Sequence, residues 1–317
     1  METSTVFAIG ECMIELQRGG TPGAGPAAQP TMDYRFGGDT LNAAVYLARL
    51  LDPALARVAY VTGLGTDGMS DEMLAAWQAE GIVTEHVQRL PDRLPGIYLI
   101  ETEPGGERRF HYWRQASAAR HWLEAPGAGT VLLALRTARL VYLSGISLAI
   151  LAPADRELLL TALGQCRAVG GQVVFDNNYR PRLWDSAEVA RAVYARALAQ
   201  ADIALLTLDD ELALYGPGNA GAAIERARSL GVAEVVIKRG ADTCLVWHNG
   251  RLDEVAGPVV RDVVDTTAAG DSFGAAYVAA RLAGAEPQDA ARAGHRLAGE
   301  VIRHRGAIIA RACMPAD

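Results

Sequence analysis

The chain has little that would place it on a membrane, a nucleic acid or a structural metal. No apolar run approaches the length of a bilayer span, and Met1 to Gly10 lacks the basic residues and long apolar core of a secretory leader, so a cytoplasmic location is expected. The four cysteines, Cys12, Cys166, Cys244 and Cys313, lie far apart with no CxxC pair, which predicts reduced thiols. The six histidines form no HExxH pattern, which argues against a transition-metal site. Positive charge is in deficit: a formal net charge of -7 and a pI near 5.5 speak against nucleic acid or an anionic membrane surface as the main partner. Lysine is scarce beside arginine, a bias that genomic base composition explains as well as any need for planar carboxylate recognition. GxxxxGK[ST] is absent, so any phosphate site is not of the P-loop kind.

What is present is an ordinary globular composition, with 50% hydrophobic and 21% charged residues over 317 positions. Disorder is expected only at the ends and in the loop from Gly19 to Pro30. Apolar strands are predicted at Val6 to Ile9, Arg57 to Thr62, Leu140 to Leu143, Gln172 to Phe175, Ile203 to Leu206 and Glu234 to Ile237. Helical stretches separate them, including Leu41 to Leu51 and Ser70 to Glu80. Such alternation implies an α/β fold with a mostly parallel sheet and helices on both faces. Gly96 to Thr102 and Arg108 to Arg114, around Pro104-Gly105-Gly106, alternate aromatics and charges like a β-hairpin. That hairpin fits no central strand and is expected to stand apart as a flap.

Four segments carry candidate chemistry. Gly63-Leu64-Gly65-Thr66-Asp67-Gly68 matches the GxGxxG of dinucleotide sites, although a tight structural turn explains it more simply. Gly145-Ile146-Ser147-Leu148-Ala149 approximates a hydrolase nucleophile elbow with Ala149 where the last glycine belongs. Phe175 to Arg182 and Lys238 to Asp242 each follow a strand, on the edge where open α/β sheets bind ligands. Leu252 to Val264 reads as apolar and strand-like, and a helix is predicted from Asp271, with Gly284 as its stop. Between them, the small residues Ala268, Ala269 and Gly270 let backbone N–H groups approach an anion at the helix N-terminus. Asp271 would repel that anion, but it is placed to take a proton from a hydroxyl attacking it. On spacing alone, an ordinary aspartate after a turn is the commoner explanation.

These segments together resemble the ribokinase (PfkB) family of sugar kinases. The resemblance rests on Asp265-Thr266-Thr267-Ala268-Ala269-Gly270-Asp271-Ser272-Phe273, on Gly37-Gly38 followed by Asn42, and on Gly63-x-Gly65-x-Asp67-Gly68. Ile9 to Glu15, Leu143 to Ala149 and Phe175 to Trp184 bring it nearest to the bacterial branch acting on 2-keto-3-deoxygluconate. It runs nearly end to end and implies a single ribokinase-like three-layer α/β domain over 1–317. A discontinuous β lid is expected from about 12–35 and 87–115. The implied activity is ATP-dependent phosphorylation of the sugar acid's 6-hydroxyl, with Asp271 as proton acceptor and Ala268, Ala269 and Gly270 as an anion hole.

By the same resemblance Gly38, Asp39 and Asn42 line the sugar pocket, Tyr98, Tyr112 and Arg114 reach it from the lid, and Arg180 lies near the substrate carboxylate. Asn178, Lys238, Gly240, Asp242, Thr267, Gly270 and His295 match positions near ATP. Asp265 and Thr267 match positions that bind a monovalent cation, K+, in some members. Mg2+ is implied as cofactor, yet the family's Asn-x-x-Glu reads Leu208-Asp209-Asp210-Glu211 here, which leaves Glu211 without its asparagine. The expected partners are a small acidic sugar and further copies of the chain, with no nucleic acid and no membrane. A neutral-sugar kinase of fructokinase or ribokinase type and a non-catalytic sugar-acid sensor are the competing readings.

Overall fold

The computed structural model describes residues 4–18, 31–102 and 108–315; the loop Gly19 to Pro30 and the turn Pro104-Gly105-Gly106 lie outside them. Strands are numbered along the chain. β1 (Ser4–Ile9), β2 (Met13–Arg18), β3 (Met32–Gly37), β4 (Ala56–Val61) and the short β5 (Gly63–Leu64) come first. β6 (Gln88–Arg89), β7 (Gly96–Thr102), β8 (Arg108–Trp113), β9 (Leu140–Ser144) and β10 (Gln172–Asp176) follow. β11 (Ile203–Thr207), β12 (Glu234–Lys238), β13 (Cys244–His248) and β14 (Arg251–Val255) complete them. Eight form one sheet in the order β14-β13-β12-β11-β10-β9-β1-β4, parallel except where β13 and β14 fold back as an antiparallel edge.

Side chains alternate across each strand, so one short segment feeds two cores. In β1, Phe7 and Ile9 enter one core while Val6 and Ala8 enter the other. The first core is covered by α3 (Ala128–Leu135), α4 (Gly145–Ala149), α5 (Pro153–Ala168), α6 (Ala187–Leu198), α7 (Leu208–Tyr215) and α8 (Ala220–Ser229), numbered after α1 (Asp39–Leu50) and α2 (Gly68–Ala79). The second is covered by α1, α2, α9 (Ala269–Leu282) and α10 (Pro287–Val301). Both faces being covered explains why β9 to β12 are near-continuous apolar runs.

A second sheet, β3-β2-β7-β8, stands beside the first. Its hairpin β7–β8 is antiparallel, with Tyr98 opposite Tyr112, as the alternating aromatics predict. The segment before it does not join this sheet: β6 pairs instead with β5. Several boundaries differ from expectation: α2 and α9 begin two residues early, at Gly68 and Ala269. α1 begins at Asp39 rather than Leu41, because the chain leaves β3 at Gly37 and needs only Gly38 to turn. The strand expected over Leu252 to Val264 stops at Val255; beyond it the chain is irregular as far as α9, with Val259, Val263 and Val264 exposed. Apolar composition there lacks a partner strand, because β13 begins at Cys244 opposite Val255 and offers nothing for the chain beyond Val255 to pair with.

Candidate active site

The N-terminus of α9 is set over the carboxyl ends of β9 to β12 by small residues. Gly274 brings the helix so close that a Cβ there would lie 3.0 Å from Leu205 and from the Tyr142 hydroxyl. The N-cap, Ala268, has φ 60°, a left-handed conformation, and no side chain caps the helix. The first amides of α9, apart from that of Ala269, which donates to the Thr266 carbonyl at 3.2 Å, and the positive end of the helix dipole thus face a cleft of about 570 Å³ between the two sheets, lined by Thr266 to Asp271.

Asp271 stands at the mouth of this anion hole. Its Oδ2 accepts a hydrogen bond from Asn42 Nδ2 at 2.8 Å, which ties α9 to α1. Burial raises its carboxyl to about 7; nearby Asp39 and Asp176 push the same way, against the Asn42 hydrogen bond and the Lys238 charge. An aspartate near 7 is deprotonated often enough at neutral pH to accept a proton and basic enough to hold it.

A row of polar groups crosses the sheet edge beneath the helix. Asp176, ending β10, accepts from Lys238 Nζ at 2.7 Å and from the Tyr142 hydroxyl at 3.2 Å. Asn178 donates to Asp39 at 2.6 Å, linking the β10 loop to the start of α1. Arg180 reaches the cleft half exposed, hydrogen-bonded to the Tyr179 carbonyl at 2.8 Å and paired with Asp210 at 3.4 Å. Gly240 also lines the cleft, and the His295 ring meets Phe273 edge-on at 5.1 Å while its Nε2 faces the Val255 carbonyl.

The small sheet forms the opposite wall with Tyr98, Phe110 and Tyr112, whose rings stand 5.9 to 6.4 Å apart. The Tyr98 hydroxyl donates to Glu15, and burial, with that neighbouring carboxylate, holds the phenol well above its ordinary range. Gly38 is required where β3 meets α1: a Cβ would collide with the Glu11 carbonyl oxygen.

Gly38, Asp39, Asn42, Tyr98, Tyr112, Asn178, Arg180, Lys238, Gly240, Thr267, Ala268, Ala269, Gly270, Asp271 and His295 all line the one cleft. Four expected residues do not. Arg114 is buried in an ion pair with Glu11, which also accepts from Ser117. Glu211 is buried between Asn177 and Arg226, so it is not open to a metal-bound water. Asp242 is exposed on the turn after β12. Asp265 accepts from the amide and hydroxyl of Thr267 and from the Gly306 amide, a loop-fixing role that occupies both carboxylate oxygens.

The competing motifs dissolve into structure. Ser147 is buried, donates to the Ile9 carbonyl at 2.6 Å and closes a capping box with Ser144, so it is no nucleophile. In the GxGxxG segment, Asp67 caps α2, and Gly63 and Gly65 pack against Ala118 and Arg93, away from the cleft. Glu11, Asp176 and Asp210 lie inside segments that the sequence singles out but carry no assigned role there; their partners Arg114, Lys238 and Arg180 come from distant parts of the chain. Among the described residues no group of three or more His, Cys, Asp or Glu is arranged to hold a metal, and no helix is long and apolar enough to cross a membrane.

Residues 3–313 match the pfkB family of carbohydrate kinases. The 2-dehydro-3-deoxygluconokinase of Dickeya dadantii is 53% identical, with the whole of both chains covered. The crystal structure of a PfkB protein from Polaromonas superposes with a TM-score of 0.81 at 29% identity, over 98% of each chain. A putative ribokinase II from Escherichia coli in complex with ATP and Mg2+ shares the fold, with a TM-score of 0.78 at 23% identity over 96% of this chain and 94% of that one. With Asp271 at the helix N-terminus, the two-sheet cleft and these likenesses in agreement, the chain belongs to the pfkB family of carbohydrate kinases.

Proposed function

We propose that this protein phosphorylates the 6-hydroxyl of 2-keto-3-deoxygluconate, the sugar acid also called 2-dehydro-3-deoxygluconate, with ATP as donor. The observation that carries the reading is Asp271, a carboxylate raised to about 7, beside uncapped helix amides in a cleft between two sheets. Asp271 takes the proton of the attacking hydroxyl, while the Ala268 to Gly270 turn faces the charge on the transferred phosphoryl group. Phosphoryl transfer needs positioning and charge neutralisation more than covalent help, and every group invoked here does one or the other.

Asp39 and the unpartnered Oδ1 of Asn42 offer acceptors to sugar hydroxyls, and Tyr98 and Tyr112 cover the apolar face of the sugar. Arg180 is the half-exposed cation suited to the sugar carboxylate. Gly240, Asn178 and His295 stand on the nucleotide side. Asp209 and Asp210 supply hard oxygen donors at the cleft, which suits Mg2+, an ion held mainly by phosphates and water. When bound, Mg2+ neutralises triphosphate charge.

A coupled ADP-release assay tests the assignment, with 2-keto-3-deoxygluconate, its galactonate epimer, fructose, ribose and no sugar. Turnover is expected with the sugar acid, at a kcat/KM at least about a hundredfold above fructose or ribose, the size of penalty expected for leaving a charged binding group unpaired. Faster turnover of fructose or ribose would make this a neutral-sugar kinase, and binding of the acid without turnover would make it a sensor.

A further inference from the structure

Lys238 is the sole lysine of the chain; the other 29 of its 30 lysines and arginines are arginine. A composition that substitutes arginine almost everywhere has kept an ammonium at one place, and that place is the cleft. Lys238 ends β12, with its side chain on the same face of the sheet as Val236, towards α9. A Cβ built on Gly270 would lie 3.5 Å from Lys238 Nζ, so the ammonium sits against the first turn of α9, beside the anion hole and the proton acceptor. Its side chain is 11% exposed and lines the cleft.

Asp176, two strands away, holds it there at 2.7 Å and is itself held by the Tyr142 hydroxyl. One Lys238 proton faces Asp176, which leaves further donors on the same nitrogen for the cleft. Of the other strong cations that line the cleft, Arg239 is held by Glu254 and Thr243, and Arg180, half exposed and 3.4 Å from Asp210, is the one assigned to the sugar carboxylate. A guanidinium is planar and longer than an ammonium, and the gap between Asp176 and Gly270 suits a compact point charge.

We propose that Lys238 is a catalytic residue that bears on the phosphoryl group in flight, and that Asp176 is its positioning residue. The inference rests on the kinase reading, though not on which sugar is phosphorylated. In the step itself the sugar hydroxyl oxygen forms a bond to the γ-phosphorus, and the bond from that phosphorus to the bridging oxygen breaks. The bridging oxygen keeps the electron pair and leaves on ADP, and the hydroxyl proton passes to Asp271. Lys238 exchanges no atom; its charge offsets the negative charge that spreads over the transferring oxygens.

A bland alternative is that Lys238 only neutralises buried Asp176. Two variants separate the roles, Lys238→Met and the double variant Lys238→Met/Asp176→Asn, assayed with whichever sugar the wild type turns over fastest. Lys238→Met is expected to lower kcat about 10²- to 10³-fold, the range for loss of one donor to a developing charge, with KM for the sugar and the Kd for ADP within about threefold. The double variant, with no unpaired buried charge, is expected to stay as slow. Recovery of the double variant to within about tenfold of wild type, or a Lys238→Met enzyme whose loss lies in ADP affinity with kcat kept, would overturn the proposal. Wild-type turnover with an unimpaired Lys238→Met enzyme removes only the lysine's role, whereas a wild type that turns over no sugar removes the kinase reading as well.

Discussion

At the scale of single residues the site is an arrangement of like charges kept apart by a few donors. Burial first, and then the charges of Asp39 and Asp176, raise Asp271 to about 7, and Asn42 and Lys238 only partly offset this. Two consequences follow from the same carboxylate. The base must be ionised to act, so kcat/KM is expected to rise about tenfold per pH unit up to roughly 7 and then level off, and Asp271→Asn should lose that limb together with about 10²- to 10⁴-fold in kcat. The stability effect has the opposite sense. A carboxyl raised from 3.8 in the unfolded chain to about 7 in the fold favours the folded state below about pH 4, and this contribution is lost as pH rises through 7. Asp271→Asn removes the penalty. Urea denaturation should find the variant more stable than wild type at pH 8, by at most roughly 4 kcal/mol, and nearly equal to it at pH 4. An Asp271→Asn protein that is both active and no more stable at pH 8 would contradict the buried-base assignment.

At the scale of elements, the join between the 256–268 segment and α9 shows what sequence pattern can and cannot fix. α9 was legible because Phe273, Ala276, Tyr277 and Ala280 repeat at helical spacing and Gly284, at φ 90°, stops it. The preceding segment was not, since an apolar run becomes a strand only where a neighbouring strand accepts its hydrogen bonds. Ala268 lies at that join in the left-handed region, where a residue with a Cβ is strained by roughly 1 to 2 kcal/mol. Ala268→Gly relieves the strain and loses part of the gain to the more flexible unfolded chain. A net increase in stability of up to about 1 kcal/mol is expected, read as a higher urea midpoint at unchanged m-value. A lower midpoint would mean that the methyl group packs against something the strain argument leaves out.

At the scale of the whole molecule, the alternation of strands and helices and the separate hairpin were readable because burial on two faces, and on one, leave different patterns in sequence. The glycine turns and Asp271 were readable because backbone geometry restricts the residue type. Glu11, Asp176 and the true partner of Arg114 were not, since residues far apart in the chain meet only after the sheets assemble: Arg114 sits opposite Glu11 across 103 positions. The small sheet touches the body through Ile14, Leu16, Phe36 and Ile97 on one face, with Tyr34 donating to Glu72 of α2, while Tyr98, Phe110 and Tyr112 face the cleft. A small sheet packed by one face and open to the cleft on the other is the element whose local stability a ligand in the cleft should change most. Amide exchange is therefore expected to slow at least about tenfold in β2, β7 and β8 when the sugar acid binds, with β13 and β14 unaffected. ADP alone should instead protect the Gly240 turn and the first turn of α9. Sugar-induced protection confined to α9, with none in the small sheet, would show that the aromatic wall is not part of the sugar pocket, and Tyr98 and Tyr112 would then have to be reassigned to holding the two sheets apart.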